Sequence, residues 1–434
     1  MPSQPSSASR LAAKEENGGG QLTTTGLRLR SEPVTTTRPL MDMSGDAQTG
    51  GWKRILRDRT GLLLRLAMST PAGAFTDTLP AFSVRQFEPE KIYAEHVDGR
   101  RVIYLDNNIW IDLRDAKTDE AYVCRGACLR AVDEGRAIFP LSYGAVSEVL
   151  HNPSKEARER QADVMDALSL GVTFRAPHVV YALEGEAAYG YFYRNDTTAA
   201  VSRSQVFTLI PDHIGDGRLE FPAGWRPDDV AKLLGFMQRE ASWRTLRWHV
   251  DHLDHEEIAK HHQLGRYESA MAEVVAKQRE LARGESKTKV RARLLTQERV
   301  ALFNQHVLPA LRRALIRDVG IERIAEESDR VLREHGDGGP ERLAQVFRAA
   351  TPSLELLAQL FAARALDTNG KPKATDFWET EHASVSPVYS DAFVTADGGL
   401  RTLLRTQRER SVDMRAEILG SVHDLARWLG DRGE

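Results

Sequence analysis

The chain has 434 residues, 41% of them hydrophobic and 28% charged, with a formal net charge of −3. This is enough material for two or three domains with ordinary cores, and it excludes a polycation, so any affinity for nucleic acid must come from a local basic face. No apolar run approaches the ~20 residues of a membrane helix, so no stable membrane insertion is expected; two cysteines in so long a chain fit a reducing, cytoplasmic setting.

Residues 1–50 are rich in Ser, Thr, Gly and Pro, carry five basic and five acidic residues, and read as a disordered tail rather than a signal or transit peptide. The extension over 51–100 contains a basic amphipathic helix, Trp52 to Met68. Ile55, Leu56 and Leu62 to Leu64 there alternate with Lys53, Arg54, Arg57, Arg59 and Arg65. Such a helix can lie on a membrane or on nucleic acid, but more often packs on its own protein. Residues 70–100 carry loop signals and at most one short strand.

The organising stretch is Val102-Ile-Tyr-Leu-Asp-Asn-Asn-Ile109. A short unbroken apolar run reads as a strand buried on both faces, as in a parallel sheet. Asp106 then falls at the strand's carboxyl end, where open α/β sheets place their ligand crevice. It is a metal or substrate ligand, or a helix cap. Asn107 and Asn108 can cap a helix starting near Ile109. Next come a helix from Asp119 to Gly135 burying Cys124 and Cys128, a strand at Ala137 to Leu141, and a Ser142-capped helix, Tyr143 to His151, carrying Glu148. A helix from Ser154 to Leu170 and a strand, Gly171 to Phe174, complete the pattern. Helical spacing is poor for a disulfide between the two cysteines. Pro140 belongs at its strand's end. Alternating strands and helices predict a parallel sheet.

From 177 to 370 the pattern is almost all helix, with candidates at Pro177 to Arg194, Pro227 to Trp243, His255 to Arg283, Lys287 to Asp318, Gly320 to His335 and Pro340 to Ala365. Between 287 and 317 there are eight basic residues, among them Lys289, Arg291, Arg293, Arg312 and Arg313, and one acid, Glu298. A phosphate backbone is the natural partner of such a run, and a solvated helix face is the equal alternative. The histidines at 249, 252, 255, 261 and 262 have zinc-like spacings, but a helix of neutral surface histidines explains them better. The chain then returns to α/β. A helix from Thr375-Asp376 is closed by Pro387, a strand runs from Ala392 to Ala396, and Asp397 and Gly398-Gly399 lead a further helix from Leu400. Asp391 precedes that strand, at the opposite sheet end from Asp397, and is a reserve candidate only.

Four motifs stand in order: Ile-Tyr-Leu-Asp106-Asn; Leu-Ser-Tyr-Gly-Ala-Val-Ser-Glu148-Val-Leu; Asp376 with His382; and Phe-Val-Thr395-Ala-Asp397. Together they resemble the PIN-like nuclease family. That family places an Asp after its first strand, a Glu on the helix after its second, an Asp opening a late helix and a Thr-x-Asp after its last strand. The resemblance covers about 101–200 and 371–434 and leaves the helical residues between them, about 201–370, as an insertion. It implies a three-layer α/β domain built from about 101–176 and 371–405. It also implies a metal-dependent ribonuclease with Asp106, Glu148, Asp376 and Asp397 as catalytic residues holding Mg²⁺ or Mn²⁺. Asn107, Thr395 and the basic run would contact substrate. A protein inhibitor or antitoxin, as toxin members of that family have, and a homodimer remain open as partners.

The chemistry suits the residues. Divalent cations with oxygen ligands can activate water and neutralise charge on a phosphodiester, and without them crowded carboxylates should see at least one pKa rise. A non-catalytic nucleic-acid-binding or scaffold protein of the same fold is the alternative. Phosphatase chemistry on an aspartyl nucleophile would want a second Asp where Asn108 stands.

Overall fold

The computed structural model describes residues 89–194, 200–210, 244–252, 284–319, 339–366, 375–410 and 413–430, with positions 276 and 280. The expected tail, the Trp52 to Met68 helix and the helices at 227–243, 255–283 (apart from positions 276 and 280) and 320–335 lie outside the described residues.

In chain order, helix α1 (Pro89–Ile92) and a π-turn (Tyr93–Val97) lead into β1 (Arg101–Leu105). Then come α2 (Asn107–Asp115), α3 (Asp119–Asp133), β2 (Ala137–Ile138), α4 (Tyr143–His151), α5 (Lys155–Ser169), β3 (Val172–Phe174) and α6 (Pro177–Arg194). The insertion continues with β4 (Phe207–Leu209), α7 (Leu246–His252), α8 (Lys287–Leu302), α9 (Leu308–Val319), α10 (Gly339–Ala350) and α11 (Pro352–Leu366). Last are α12 (Thr375–Tyr389), β5 (Ala392–Val394), α13 (Gly398–Glu409), β6 (Glu417–Leu419) and α14 (Val422–Gly430).

The parallel sheet has the order β2-β1-β5-β6. Tyr104 of β1 stands beside Phe393 of β5, and Phe393 beside Ile418 of β6. Segments from before and after the insertion therefore build one sheet, as expected. The strands β3 and β4 pair antiparallel, and Leu141 joins β3 to the β2 side of the sheet.

Successive residues of a strand face opposite ways. Val102 and Tyr104 belong to a core shared with α6, α8 to α11 and α13, whereas Ile103 and Leu105 belong to one shared with α2 to α5, α7 and α14. Helices thus cover both faces, and the insertion supplies most of one layer. This is why the β1 run is apolar without alternation.

Several expectations are corrected. Asp106, not an asparagine, caps α2: its carboxylate accepts from the Asn107 amide, and the helix starts two residues before Ile109. Residues 207–209 form a strand inside the supposedly helical segment, because Val206-Phe-Thr-Leu-Ile210 is a β-forming run between turn signals. The helix expected over Pro340 to Ala365 breaks at Thr351, since Pro352 has no amide hydrogen and suits a first helical position. Pro387 does not close α12, which runs on to Tyr389 although the proline gives up its own bond to the preceding turn. The strand β6 lies beyond 405, too short for its period to show. His249 is buried against Trp248 rather than on a surface. Ser142 and Ser154 do cap α4 and α5, and Cys124 and Cys128 are buried and unbridged.

Asp391 anchors the amino end of β1, the sheet end opposite Asp106. It accepts from the Val102 amide at 2.8 Å, Arg203 at 2.7 Å and Arg415 at 2.6 Å. Replacing it with Ala strands the Val102 amide and removes the charge partner of Arg203, which keeps Tyr389 O, and of the exposed Arg415. The expected loss is about 2–4 kcal/mol of unfolding free energy in urea titrations, with the sheet's carboxyl end unaltered.

Candidate active site

Three of the four motifs meet at a buried polar knot beneath the sheet's carboxyl edge. Tyr104 comes from β1, and its hydroxyl lies 2.9 Å from Ser142 Oγ, the cap of α4, and 3.0 Å from His382 Nδ1 of α12. All three residues are buried, and the Tyr104 and His382 rings pack at 5.8 Å. Gly144 lets the helices touch here: a Cβ on it would stand 2.9 Å from His382 Nδ1. Burial, reinforced by Arg364 and against the pull of Asp106, lowers the imidazole to about 4. It is therefore neutral, and its Nε2 is enclosed without a hydrogen-bond partner.

One helical turn from Gly144, on the same face of α4, stands Glu148; one turn before His382, on the same face of α12, stands Glu379. Glu148 is half-buried, but its Oε2 is wholly enclosed and has no hydrogen-bond partner. Desolvation first, then the charges of Asp106 and Glu379, push its carboxyl up to about 8. One raised carboxyl is therefore present, with burial rather than crowding as its first cause. Glu379 was not singled out in the sequence; its signal was its place three residues after Asp376. It is also paired with Arg364 at 3.0 Å.

Asp106 is 6% exposed and densely bonded. Its Oδ1 accepts from the Asn107 amide at 2.8 Å, and its Oδ2 from Asn108 Nδ2 at 2.9 Å and Thr395 Oγ1 at 2.6 Å. Thr395, fully buried at the end of β5, also accepts from the Asp397 amide at 3.1 Å. One hydroxyl thus ties Asp106 to the Asp397 backbone, placing both at the same sheet edge. The Asp397 side chain is exposed and caps α13 through the Leu400 amide at 2.8 Å. Asp376 lies in the first turn of α12, and its side chain lies outside the described residues. Asn107 is held by Gln161 at 2.8 Å, and Asn108 takes the Ala396 amide at 3.0 Å.

As a test of fit to a divalent cation, the donor set is oxygen-only, and the enclosed Glu148 oxygen between two other carboxylates is what a cation would neutralise. Among the described residues, however, no three His, Cys, Asp or Glu side chains are gathered closely enough to hold a metal ion. Asp106 and Glu148 are brought together electrostatically. Asp397 turns its carboxylate to its own helix.

The basic run of the insertion divides. Arg291 bonds Gln359 and Gln407, each at 2.9 Å; Arg293 pairs with Glu285 at 2.7 Å; Arg299 is buried against Glu355. Lys289, Arg312 and Arg313 are exposed. Among the described residues no helix is long and apolar enough to cross a membrane. Compared with known proteins, the chain matches no family, no curated protein and no solved structure.

Proposed function

We propose that the protein is a metal-dependent nuclease of PIN-like type acting on RNA, with its reaction centre at the edge where β1 and β5 end. The observation that carries this reading is Glu148: an enclosed, partnerless carboxylate oxygen, raised to about 8 by burial beside Asp106 and Glu379. Nothing in the folding of α4 calls for a carboxylate there, and a strongly perturbed acid at the ligand-binding edge of an α/β sheet marks a functional site. A Mg²⁺ or Mn²⁺ ion held there by Asp106 and Glu148 would supply activated water and offset charge on the phosphate.

The chain's own groups do the positioning. Thr395 and Asn108 fix the Asp106 carboxylate, and the Tyr104–Ser142–His382 knot fixes α4 against α12. Asp397 and Thr395 border the edge where a phosphate would sit. The tight capping of Asp106 favours the second reading, a binding or scaffold protein that keeps the fold without turnover. The two separate when full-length protein is incubated with labelled RNA and DNA, in Mg²⁺, in Mn²⁺ and in chelator. Metal-dependent cleavage of RNA is expected. RNA binding without cleavage in every condition would establish the scaffold reading.

A further inference from the structure

The outer edge of β6 is covered by arginines. Its inner edge pairs with β5: Leu419 O accepts from the Thr395 amide and the Glu417 amide donates to Asp391 O. The carbonyls facing the other way, at 416, 418 and 420, would be open. Arg408 bonds Ala416 O at 3.2 Å, Arg405 bonds Ile418 O at 2.8 Å and Arg401 bonds Gly420 O at 3.2 Å. The arginines follow one another at four and three residues along α13, one face of the helix. The carbonyls they grip are two strand residues apart, so the guanidinium groups stand about 6.6 Å from one another in a row.

The row begins one turn after Asp397, at the candidate site. Arg405 and Arg408 are exposed, and Arg401 is partly so. Each guanidinium uses one N–H on a carbonyl, and no carboxylate pairs with any of the three among the described residues. The rest of each donor fork is available to an outside acceptor. The acid beside Arg401, Asp424, accepts from the Gly420 amide at 3.1 Å and forms no ion pair with that guanidinium. Capping an edge strand needs only a blunt charge; three planar donors pinned at even spacing, leading away from a carboxylate site, suit a chain of regularly spaced anions.

We propose that this row is the substrate track: the phosphates of single-stranded nucleic acid lie along α13 and the outer edge of β6, leading to the Asp106 end of the sheet. The identity of the ligand as a polynucleotide rests on the nuclease reading. The insertion's basic run, whose Arg291, Arg293 and Arg299 have internal partners, is then secondary.

The test is binding of a fluorescent uridine oligonucleotide to the full-length chain in chelator, as a function of salt. Each lost single-strand phosphate contact should flatten the log–log salt slope by about 0.7, which near 0.1 M salt is about 5-fold in affinity. Arg405→Gln with Arg408→Gln should therefore weaken binding about 25-fold and flatten the slope by about 1.4. Thr402→Glu keeps every arginine–carbonyl bond and sets a carboxylate one turn from Arg405. It should weaken binding in the same direction even if the double variant opens the β6 edge and misfolds. Arg405→Lys with Arg408→Lys should keep the wild-type slope. Arg312→Gln with Arg313→Gln should change affinity less than the Arg405/Arg408 pair. Unchanged affinity and slope in both the Gln pair and Thr402→Glu overturns the track, and does so even if wild type cleaves RNA. Loss of binding in these variants from a wild type that never cleaves sustains the track and overturns the nuclease reading instead.

Discussion

Asp106→Asn is expected to abolish RNA cleavage, by about 10³-fold or more in kcat, while leaving RNA affinity within a few-fold. The carboxylate sits where β1 ends and its charge acts on Glu148, so it is what a cation at this site would be held by. Losing several kcal/mol of charge stabilisation in the transition state translates into a factor of that size. On the proposed reading, binding rests on phosphate contacts elsewhere and should survive. The substitution is not innocent structurally. Asn caps helices about as well as Asp, so α2 should still form. But Oδ2 of Asp106 accepts from both Asn108 Nδ2 and Thr395 Oγ1. An amide there would present hydrogens to the Asn108 amide, and Asn108 cannot simply turn over because its Oδ1 holds the Ala396 amide. A cost of about 1–3 kcal/mol is expected, visible as a lowered Tm. Cleavage must therefore be measured well below that Tm. Turnover close to wild type in folded Asp106→Asn would remove Asp106 from the reaction and with it the metal-site reading.

The sequence made the sheet's central strands legible because each is an apolar run ending in a polar residue that must do something. Ile103 to Leu105 and Ala392 to Val394 are buried on both faces, so their patterns carry no competing solvent signal. The strands β4 and β6 were not legible: three residues each, with pairing decided by partners far along the chain. Asp106 was open to two readings, ligand or cap, and the structure shows the cap without removing the other, since the capping carboxylate still stands at the carboxyl end of β1. Glu379 escaped notice because its importance depends on how α12 crosses α4, which Gly144 and His382 set. The Arg401, Arg405 and Arg408 row shows the same limit. Helical spacing alone makes it a solvated face; only the carbonyls of β6, which no local pattern announces, turn it into an ordered array. The run from 287 to 317 looked more basic on paper, but Arg291 and Arg299 are used to hold α8 to Gln359 and Glu355 within the insertion and to Gln407 of α13.

Glu148→Gln should stabilise the metal-free protein at alkaline pH. In the folded chain the Glu148 carboxyl is raised to about 8, against an ordinary value of 4.5, first by burial and then by Asp106 and Glu379. Between those values the unfolded chain has released a proton that the folded chain keeps. Folding stability from this residue is therefore fully present below about pH 4.5 and is lost as pH rises through about 8, at up to about 1.4 kcal/mol per pH unit. Glu184 and Glu298, each raised to about 7, and Asp166, raised to about 6, tilt the wild-type curve the same way. The difference between wild type and variant isolates Glu148. In chelator, the two should have similar stability at pH 5, and the variant should gain several kcal/mol by pH 8.5, read from urea midpoints across pH. Adding Mg²⁺ should raise wild-type stability at pH 8 and release protons, because cation binding favours the ionised carboxylate, and should leave Glu148→Gln nearly unmoved. A wild type whose pH profile is superimposable on that of the variant would show that Glu148 ionises freely in the folded chain, and the enclosed carboxylate would no longer point to a cation.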